Sequence, residues 1–264
     1  MNLTRSSILL CLLVAGSASA STITTLSVDF ESPTFHVGDI GGNPPYSAGQ
    51  GGWFGFGYNS ITNIVAHSGS QSLSTSSAGS LGKSLDPSLG ELPSGGFFEV
   101  GFGTDWWAQG WVNIRSGGTG AVMSLGNGLG SCPLIQISGT GVPYLNSCTR
   151  QDANEPSFGA GVFDQWLLFS ISHTVAMGQG INFGITNGGN IDFHRSLDQY
   201  TGPGTGNEQF IALSGEAYWD DISAGYGPIP VQVQLPVPEP GSVLLFGSGL
   251  ALMRLRRKRG ILAR

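Results

Sequence analysis

Short apolar runs separated by glycine and proline recur along the middle of the chain. No glycine-free stretch keeps a helical period for more than two turns, whereas apolar and polar residues alternate in Trp111-Val112-Asn113-Ile114. Many short strands with turn residues between them are typical of a sandwich or barrel. We therefore predict an all-β fold, a β-sandwich, with strands at residues 26–30, 61–66, 72–75, 96–102, 110–114, 121–125, 134–138, 166–173, 179–186, 209–214 and 217–223.

The first twenty residues have the pattern of a secretory signal. Arg5 precedes an apolar run from Ile8 to Val14, and the small residues 18–20 lead to Ser21. Such a pattern predicts an N-terminal signal helix that signal peptidase removes. We expect cleavage between Ala20 and Ser21, and export of the remainder.

The C-terminal stretch joins three unlike pieces. Pro238-Glu239-Pro240 is stiff and extended because each proline fixes its own φ. The 12 residues from Ser242 to Met253 are uncharged and largely apolar, and a basic cluster follows: Arg254, Arg256, Arg257, Lys258 and Arg259. This order predicts a short transmembrane helix whose cations stay on the cytoplasmic side, although about 20 residues normally span a bilayer. The alternative is a C-terminal amphipathic helix packed on the domain.

This tail resembles the PEP-CTERM sorting signal of proteins exported by Gram-negative bacteria. The resemblance implies a transient inner-membrane anchor and processing near Pro238-Glu239-Pro240 by an exosortase, a membrane enzyme. It further implies delivery to the cell surface or an extracellular matrix. We therefore divide the chain into a signal peptide (1–20), a β-sandwich domain (21–226), a proline-rich spacer (227–236) and a sorting signal (237–260).

Charge separates the body of the chain from its ends. The formal net charge is −6, but seven of the 11 Lys and Arg residues lie at the two ends of the chain, at Arg5 and from Arg254 onwards. All 17 acids lie between Asp29 and Glu239, so four cations face 17 acids and the exported part is near −13. Nucleic acid is disfavoured as a partner because its binding rests on Lys and Arg.

Two cysteines remain after removal of the signal peptide. In an oxidising compartment we expect Cys132 and Cys148 to form a disulfide. The residues between them are consistent with two short strands around Gly139-Thr140-Gly141, so the disulfide would cross a hairpin.

Acidic residues lie near both ends of the predicted domain. Val28-Asp29-Phe30-Glu31-Ser32 stands near its start and Tyr218-Trp219-Asp220-Asp221-Ile222-Ser223 near its end. This bracket looks like the jelly-roll sandwiches of the galactose-binding-like and concanavalin-like groups. The resemblance implies adjacent first and last strands and a structural calcium held by Glu31 and by Asp220 or Asp221. The alternative is that these acids only border the strand ends.

Aromatic residues suggest a surface for stacking sugar rings. Trp53 and Tyr58 lie in a glycine-rich loop, and Trp106 and Trp107 should point to opposite faces of a strand. We therefore expect Trp53, Tyr58 and Trp106 to be exposed for glycan stacking. The alternative is that the tryptophans belong to the core.

The chain lacks a recognisable catalytic signature. No strand carries two glutamates and an aspartate at glycosidase spacing, and adjacent Asp220 and Asp221 should point apart in a regular strand. We expect a non-enzymatic exported surface or matrix protein associated with exopolysaccharide, without a cofactor unless calcium binds. The alternatives are a carbohydrate-binding module with its own glycan affinity and a polysaccharide-degrading enzyme.

Overall fold

The computed structural model describes residues 23–41, 49–77, 80–84, 105–126, 133–147, 151–152, 155–174, 180–197 and 210–229. Within these residues the regular elements are antiparallel strands and two short 3₁₀ turns, at Gln50–Gly52 and Gly159–Val162. None of the described helical segments is long or apolar enough to cross a bilayer. The predicted signal helix and transmembrane helix both lie outside the described residues.

The first sheet, sheet A, contains nine of the described strands. Their order is β14-β13-β12-β7-β16-β5-β4-β2, and β1 also pairs with β16. The bounds are β1 Ile23–Val28, β2 Gly38–Asp39, β4 Ser60–Thr62, β5 Ser72–Ser74, β7 Trp106–Ile114, β12 Trp166–His173, β13 Ile181–Thr186, β14 Asp192–Leu197 and β16 Ala217–Tyr226.

The second sheet, sheet B, contains seven of the described strands in the order β11-β10-β9-β8-β15-β6-β3. Consecutive strands β8, β9 and β10 form hairpins, including the one expected between the two cysteines, in which Pro143 partners Ile137. The bounds are β3 Phe54–Phe56, β6 Ser80–Ser84, β8 Gly120–Gly126, β9 Leu134–Ser138, β10 Pro143–Asn146, β11 Gln151–Asp152 and β15 Phe210–Gly215.

A single cluster of apolar side chains forms the described core. Sheet A contributes Phe169 and Trp219, whose rings meet edge to face at 6.0 Å, and sheet B contributes Met123, Ile137 and Leu213. These residues alternate with polar ones along their strands, so one face of each sheet is apolar. Burial of these two faces against each other gives the β-sandwich expected from the sequence.

Strand β7 is buried on both faces, which the sequence pattern did not predict. All nine of its residues are buried, including Trp106 on the core side and Trp107 on the opposite side. The expectation that one of these tryptophans would be exposed was wrong. Strand β7 lies inside sheet A, between β12 and β16, and on its outer face the ring of His67 stacks on Trp111.

The first and last strands of the sandwich lie side by side, as expected. Ile23 partners Tyr226 and Val28 partners Ile222 in an antiparallel ladder. Strand β16 therefore has β7 on one edge and β1 with β5 on the other. This arrangement brings Glu31, which follows β1, towards the acids of β16.

A β-bulge interrupts the pairing of β16 with β7. Asp220 partners Trp111 and Ser223 partners Gln109, so Asp221 and Ile222 both lie opposite Gly110. Asp221 has φ of 47°, in the left-handed region that aspartate tolerates better than most residues. The bulge changes the direction of the strand locally, and the two adjacent acids no longer follow simple alternation.

Candidate functional site

The acids expected at the two ends of the domain converge on one loop. This serine loop, residues 67–71, lies between β4 and β5. Its N–H and O–H groups donate hydrogen bonds to the carboxylates of Glu31, Asp220 and Asp221. Glu31, Asp220 and Asp221, which the sequence assigned to one site, therefore contact the same loop. The expectation that Asp220 and Asp221 point apart was wrong, because the bulge directs both carboxylates to the same loop.

Asp220 provides the buried part of this arrangement. Its side chain is fully buried, and Oδ2 accepts hydrogen bonds from the backbone N–H groups of His67 at 2.8 Å and Ser68 at 3.1 Å. Oδ1 accepts one from the backbone N–H of Asp221 at 2.9 Å. Burial and the neighbouring charge of Asp221 raise the pKa of Asp220 to about 7, against the opposing effect of these hydrogen bonds.

Asp221 binds two side chains of the same loop. Its Oδ2 lies 2.7 Å from Nδ1 of His67, and its Oδ1 accepts a hydrogen bond from Oγ of Ser68 at 2.8 Å. The His67 ring stacks on Trp111 at a centroid distance of 4.0 Å and meets Trp166 edge to face at 5.4 Å. The serine loop thus covers part of the outer face of sheet A.

Glu31 holds the other end of the loop. Its Oε1 accepts hydrogen bonds from the backbone N–H groups of Ser70 and Gln71, each at 2.7 Å, and its Oε2 accepts one from Oγ of Ser70 at 2.9 Å. Burial opposes ionisation, but these hydrogen bonds outweigh it and lower the pKa of Glu31 below its usual value. Gly69 has φ of 61° and packs so closely on this carboxylate that a Cβ would collide with it.

The N–H and O–H groups that surround these carboxylates do not suit the calcium site expected from the sequence. All six carboxylate oxygens of Glu31, Asp220 and Asp221 face N–H or O–H groups of the protein. Calcium requires six to eight oxygen ligands, and hydrogen-bond donors on the same oxygens compete with it. Within the described part of the chain, no group of three His, Cys, Asp or Glu residues could hold a metal ion.

The contacts of Ser68 and His67 differ from those of a serine–histidine pair in a catalytic site. A serine nucleophile needs its Oγ hydrogen-bonded to a general base such as histidine. Here Oγ of Ser68 donates to Asp221, and His67 also bonds to Asp221. The arrangement therefore positions the loop, and its hydrogen bonds do not form a serine–histidine pair.

The aromatic residues expected on the surface have different fates. Trp53 is buried against Phe30, and Trp106 is buried and stacked on His173, so the expectation of exposure was wrong for both. Both rings belong to the core because apolar side chains from the strands and loops around them enclose them. Tyr58 is 91% exposed and stays a prediction for glycan stacking.

A feature that the sequence did not point to is a groove on the outer face of sheet A. This groove has a volume of about 420 Å³ and runs across β12, β13 and β14. We call it the polar groove for the hydroxyl, amide and imidazole groups on its lining, although apolar carbon makes up most of the exposed lining. The sequence contains one indication of this groove: in β12, Ser170 and Ser172 alternate with the buried Phe169 and Ile171. The lining residues are Ser170, Ser172, Thr174, Asn182, Phe183, His194, Arg195, Ser196 and Ile229.

The remaining predicted sites lie outside the described residues. These include the disulfide partners Cys132 and Cys148 and the signal-peptide cleavage site at Ala20 and Ser21. The sorting residues lie there as well: Pro238, Glu239, Pro240, Arg256, Arg257, Lys258 and Arg259. All of these assignments remain predictions from the sequence, apart from the sorting motif itself.

Solved structures with a similar fold come from several sources. The chain is similar to the carbohydrate esterase vb_24B_21 of the Shiga toxin-encoding bacteriophage phi24B, with 12% identity over 79% of this chain and 100% of that one and a TM-score of 0.46. It is similar to the CBM2 module of the evolved Dit of Lactobacillus casei BL23 phage J-1, with 11% identity over 79% and 97% and a TM-score of 0.44. The likeness to the binding domain of botulinum neurotoxin serotype C1 has 14% identity over 78% and 48% and a TM-score of 0.47. These values describe a likeness of fold alone.

The sequence comparisons identify the C-terminal segment. No curated protein matches the chain. Residues 236–259 match the model of the PEP-CTERM protein-sorting motif, over nearly the same residues that the pattern of proline, apolar run and basic cluster indicated. The chain thus carries a PEP-CTERM sorting motif at its C-terminus, which implies an exported protein processed by an exosortase-like membrane enzyme.

Proposed function

We propose that the protein is a non-enzymatic exported protein that is delivered to the cell surface or extracellular matrix and associates there with exopolysaccharide. The observation that carries this proposal is the sorting motif at residues 236–259, which follows an acidic β-sandwich in the same chain. The high negative charge suits a protein that must stay soluble after release.

Two features of the described residues support a role without catalysis. The buried Asp220 accepts three backbone N–H hydrogen bonds, so its carboxylate is committed to holding the chain. The side chains of Ser68 and His67 both bond to Asp221 rather than to each other. Turnover of a polysaccharide by the purified protein, abolished by changing a single acid, would establish the alternative of a degradative enzyme.

The experiment that tests delivery changes the sorting motif in full-length protein expressed in its own cells. Replacement of Pro238, Glu239 and Pro240 by alanine should leave uncut protein in the inner-membrane fraction, while the unchanged protein reaches the surface or the medium. Replacement of Pro228 and Pro230 by alanine is the matched control, because it removes prolines of the spacer and leaves the motif intact. Normal release of the triple-alanine protein would overturn the proposal.

A second candidate function is a carbohydrate-binding domain with its own glycan affinity. The observation that favours it is the polar groove, which presents hydroxyl and amide groups on the outer face of a rigid sheet. Retention of the purified exported protein on immobilised polysaccharide would support this function.

A further inference from the structure

We propose that the polar groove across β12, β13 and β14 is a binding site for an uncharged polysaccharide. This inference rests on the proposed association with exopolysaccharide and names the site and the class of sugar. Four properties of the groove lead to it: the register of its side chains, the hydroxyl groups of Ser172 and Thr174, the close approach of Ser170 and His194 over Gly184, and the balance of charge.

Strand register places the polar groups in rows that cross the sheet. Ser172 partners Asn182, and Asn182 partners Ser196, so these three side chains lie on one line and on one face. The next line is formed by Ser170, Gly184 and His194. Neighbouring strands lie about 4.8 Å apart, so each line spans about 10 Å of the surface. This geometry offers repeated polar contacts to an extended, hydroxyl-rich chain.

Several groups in the groove can bind a ligand without breaking existing contacts. The side chains of Ser172 and Thr174 make no hydrogen bond to any part of the chain that the structure describes. The Nε2 of His194 lies 2.9 Å from Oδ1 of Asp192, while its Nδ1 lies over Gly184 on the groove floor. In the neutral ring, Nε2 donates to the carboxylate and Nδ1 is an acceptor. Sugar hydroxyls, which both donate and accept, match this mixture.

Gly184 allows two lining side chains of the groove to meet over β13. A Cβ at this position would collide with Oγ of Ser170 and would come within 3.2 Å of Nδ1 of His194. The glycine therefore leaves room for these two polar side chains, which together cover it. A side chain at this position is expected to push Ser170 and His194 out of their places in the lining.

Charge indicates an uncharged ligand. No carboxylate lines the groove, and each of its two basic residues already has an acidic partner. Arg195 pairs with Asp152 at 3.1 Å and Glu155 at 3.0 Å, and His194 pairs with Asp192. An anionic sugar would thus find no free cation in the lining, within a strongly acidic protein. Ile229 is 36% exposed at the groove and offers an apolar contact to the C–H groups of a sugar ring.

The test measures binding of exported protein, purified from the medium, to soluble polysaccharides by isothermal titration calorimetry and affinity electrophoresis. The panel contains uncharged glucans, mannans and galactans, with alginate as the anionic comparison. Gly184→Val displaces the lining side chains of Ser170 and His194, and Gly161→Val is its matched control, because a Cβ at Gly161 meets nothing within 4 Å. The double variant Ser172→Ala with Asn182→Ala removes polar groups without adding volume, which keeps the test valid should Gly184→Val fold poorly.

The expected result is binding to an uncharged polysaccharide that Gly184→Val and the double variant weaken about tenfold or more. Gly161→Val should bind like the unchanged protein. Binding that is lost in Tyr58→Ala but retained in the groove variants would overturn the inference, as would a preference for alginate or no binding at all. Failure of the proposed function is separate, since it appears as normal release of the triple-alanine sorting variant.

Discussion

The carboxylate of Asp220 accepts a hydrogen bond from the backbone N–H of His67 at 2.8 Å, although 153 residues separate the two along the chain. Because Asp220 belongs to the last strand and His67 to the serine loop, this contact fixes the loop to the centre of sheet A. The bulge at Asp221 makes it possible by turning two consecutive acids towards one loop.

Replacement of Asp220 by alanine should destabilise the domain markedly. The change removes a buried carboxylate and leaves the partly buried N–H groups of His67 and Ser68 without their acceptor, at a cost of about 2–4 kcal/mol in the free energy of unfolding. The midpoint of thermal unfolding should fall by about 5–15 °C in calorimetry. Asp192→Ala is the control, since its exposed pair with His194 contributes at most about 1 kcal/mol. Equal melting of the two variants would contradict the structural role of Asp220.

The stability of the domain should decrease as the pH rises from 5 to 8. The pKa of Asp220 is raised from its usual value near 3.8 to about 7 in the folded protein, mainly by burial. The folded state therefore binds the proton more tightly than the unfolded state, and this contribution falls progressively as the pH rises towards 7 and is nearly gone above it. The lowered pKa of Glu31 gives the opposite slope, but only below its usual value of 4.5.

The comparison that isolates this effect uses Asp220→Asn, which cannot ionise. Thermal unfolding of both proteins is followed from pH 5 to pH 8 at constant ionic strength. The variant should show a flatter profile than the unchanged protein. Parallel profiles would mean that another group titrates in this window.

Calcium should have no effect on thermal unfolding. The carboxylate oxygens of Glu31, Asp220 and Asp221 already accept hydrogen bonds from the serine loop, so a cation would have to displace N–H donors from them. Melting curves with excess chelator and with millimolar calcium should coincide, and millimolar magnesium serves as the control ion. A fall of several degrees with the chelator would reinstate the calcium site expected from the sequence.

Because the bulge places Ile222 opposite Gly110, we expect substitutions at these two positions to have coupled effects on stability. A Cβ at Gly110 would collide with Cδ1 of Ile222, which is fully buried and cannot move into solvent. Gly110→Ala should therefore cost about 1–3 kcal/mol of stability in denaturant unfolding. Ile222→Val removes the colliding methyl at a cost of about 0.5–1.5 kcal/mol.

A double-mutant cycle tests this contact directly. In the Ile222→Val background the cost of Gly110→Ala should fall by about 1 kcal/mol, because the two changes share one contact. Gly161→Ala in the same background is the control and should show no coupling. Additive costs for Gly110→Ala and Ile222→Val would show that the methyl group is not the obstacle.

The hydrophobic pattern located the strands that bury one face. Strands β9, Leu134–Ser138, and β12, Trp166–His173, have the predicted bounds because apolar residues alternate along them. Strand β14, Asp192–Leu197, was missed because it is mostly exposed and its polar residues carry no such alternation. The predicted strand at 96–102 lies outside the described residues.

The candidate site was harder to predict because local backbone geometry and burial decide it. Alternation placed Asp220 and Asp221 on opposite faces, and a bulge with positive φ at Asp221 is not visible in the order of residues. The burial of Trp53 and Trp106 was also not predictable from the sequence. Their local sequence does not show that residues from other strands and loops enclose them. The polar groove depends on cross-strand pairing, which joins residues that lie far apart in the sequence.

The position of β16 has a mechanical consequence. The last described strand, β16, ends at Tyr226 and is hydrogen-bonded along both of its edges, and the sequence of the tail follows it. A pull on the tail along the strand axis is therefore shared among bonds to two sides at once, whereas an outermost strand would unzip bond by bond. An attached domain of this design should withstand tension and shear flow better than one tethered through the border of its sheet.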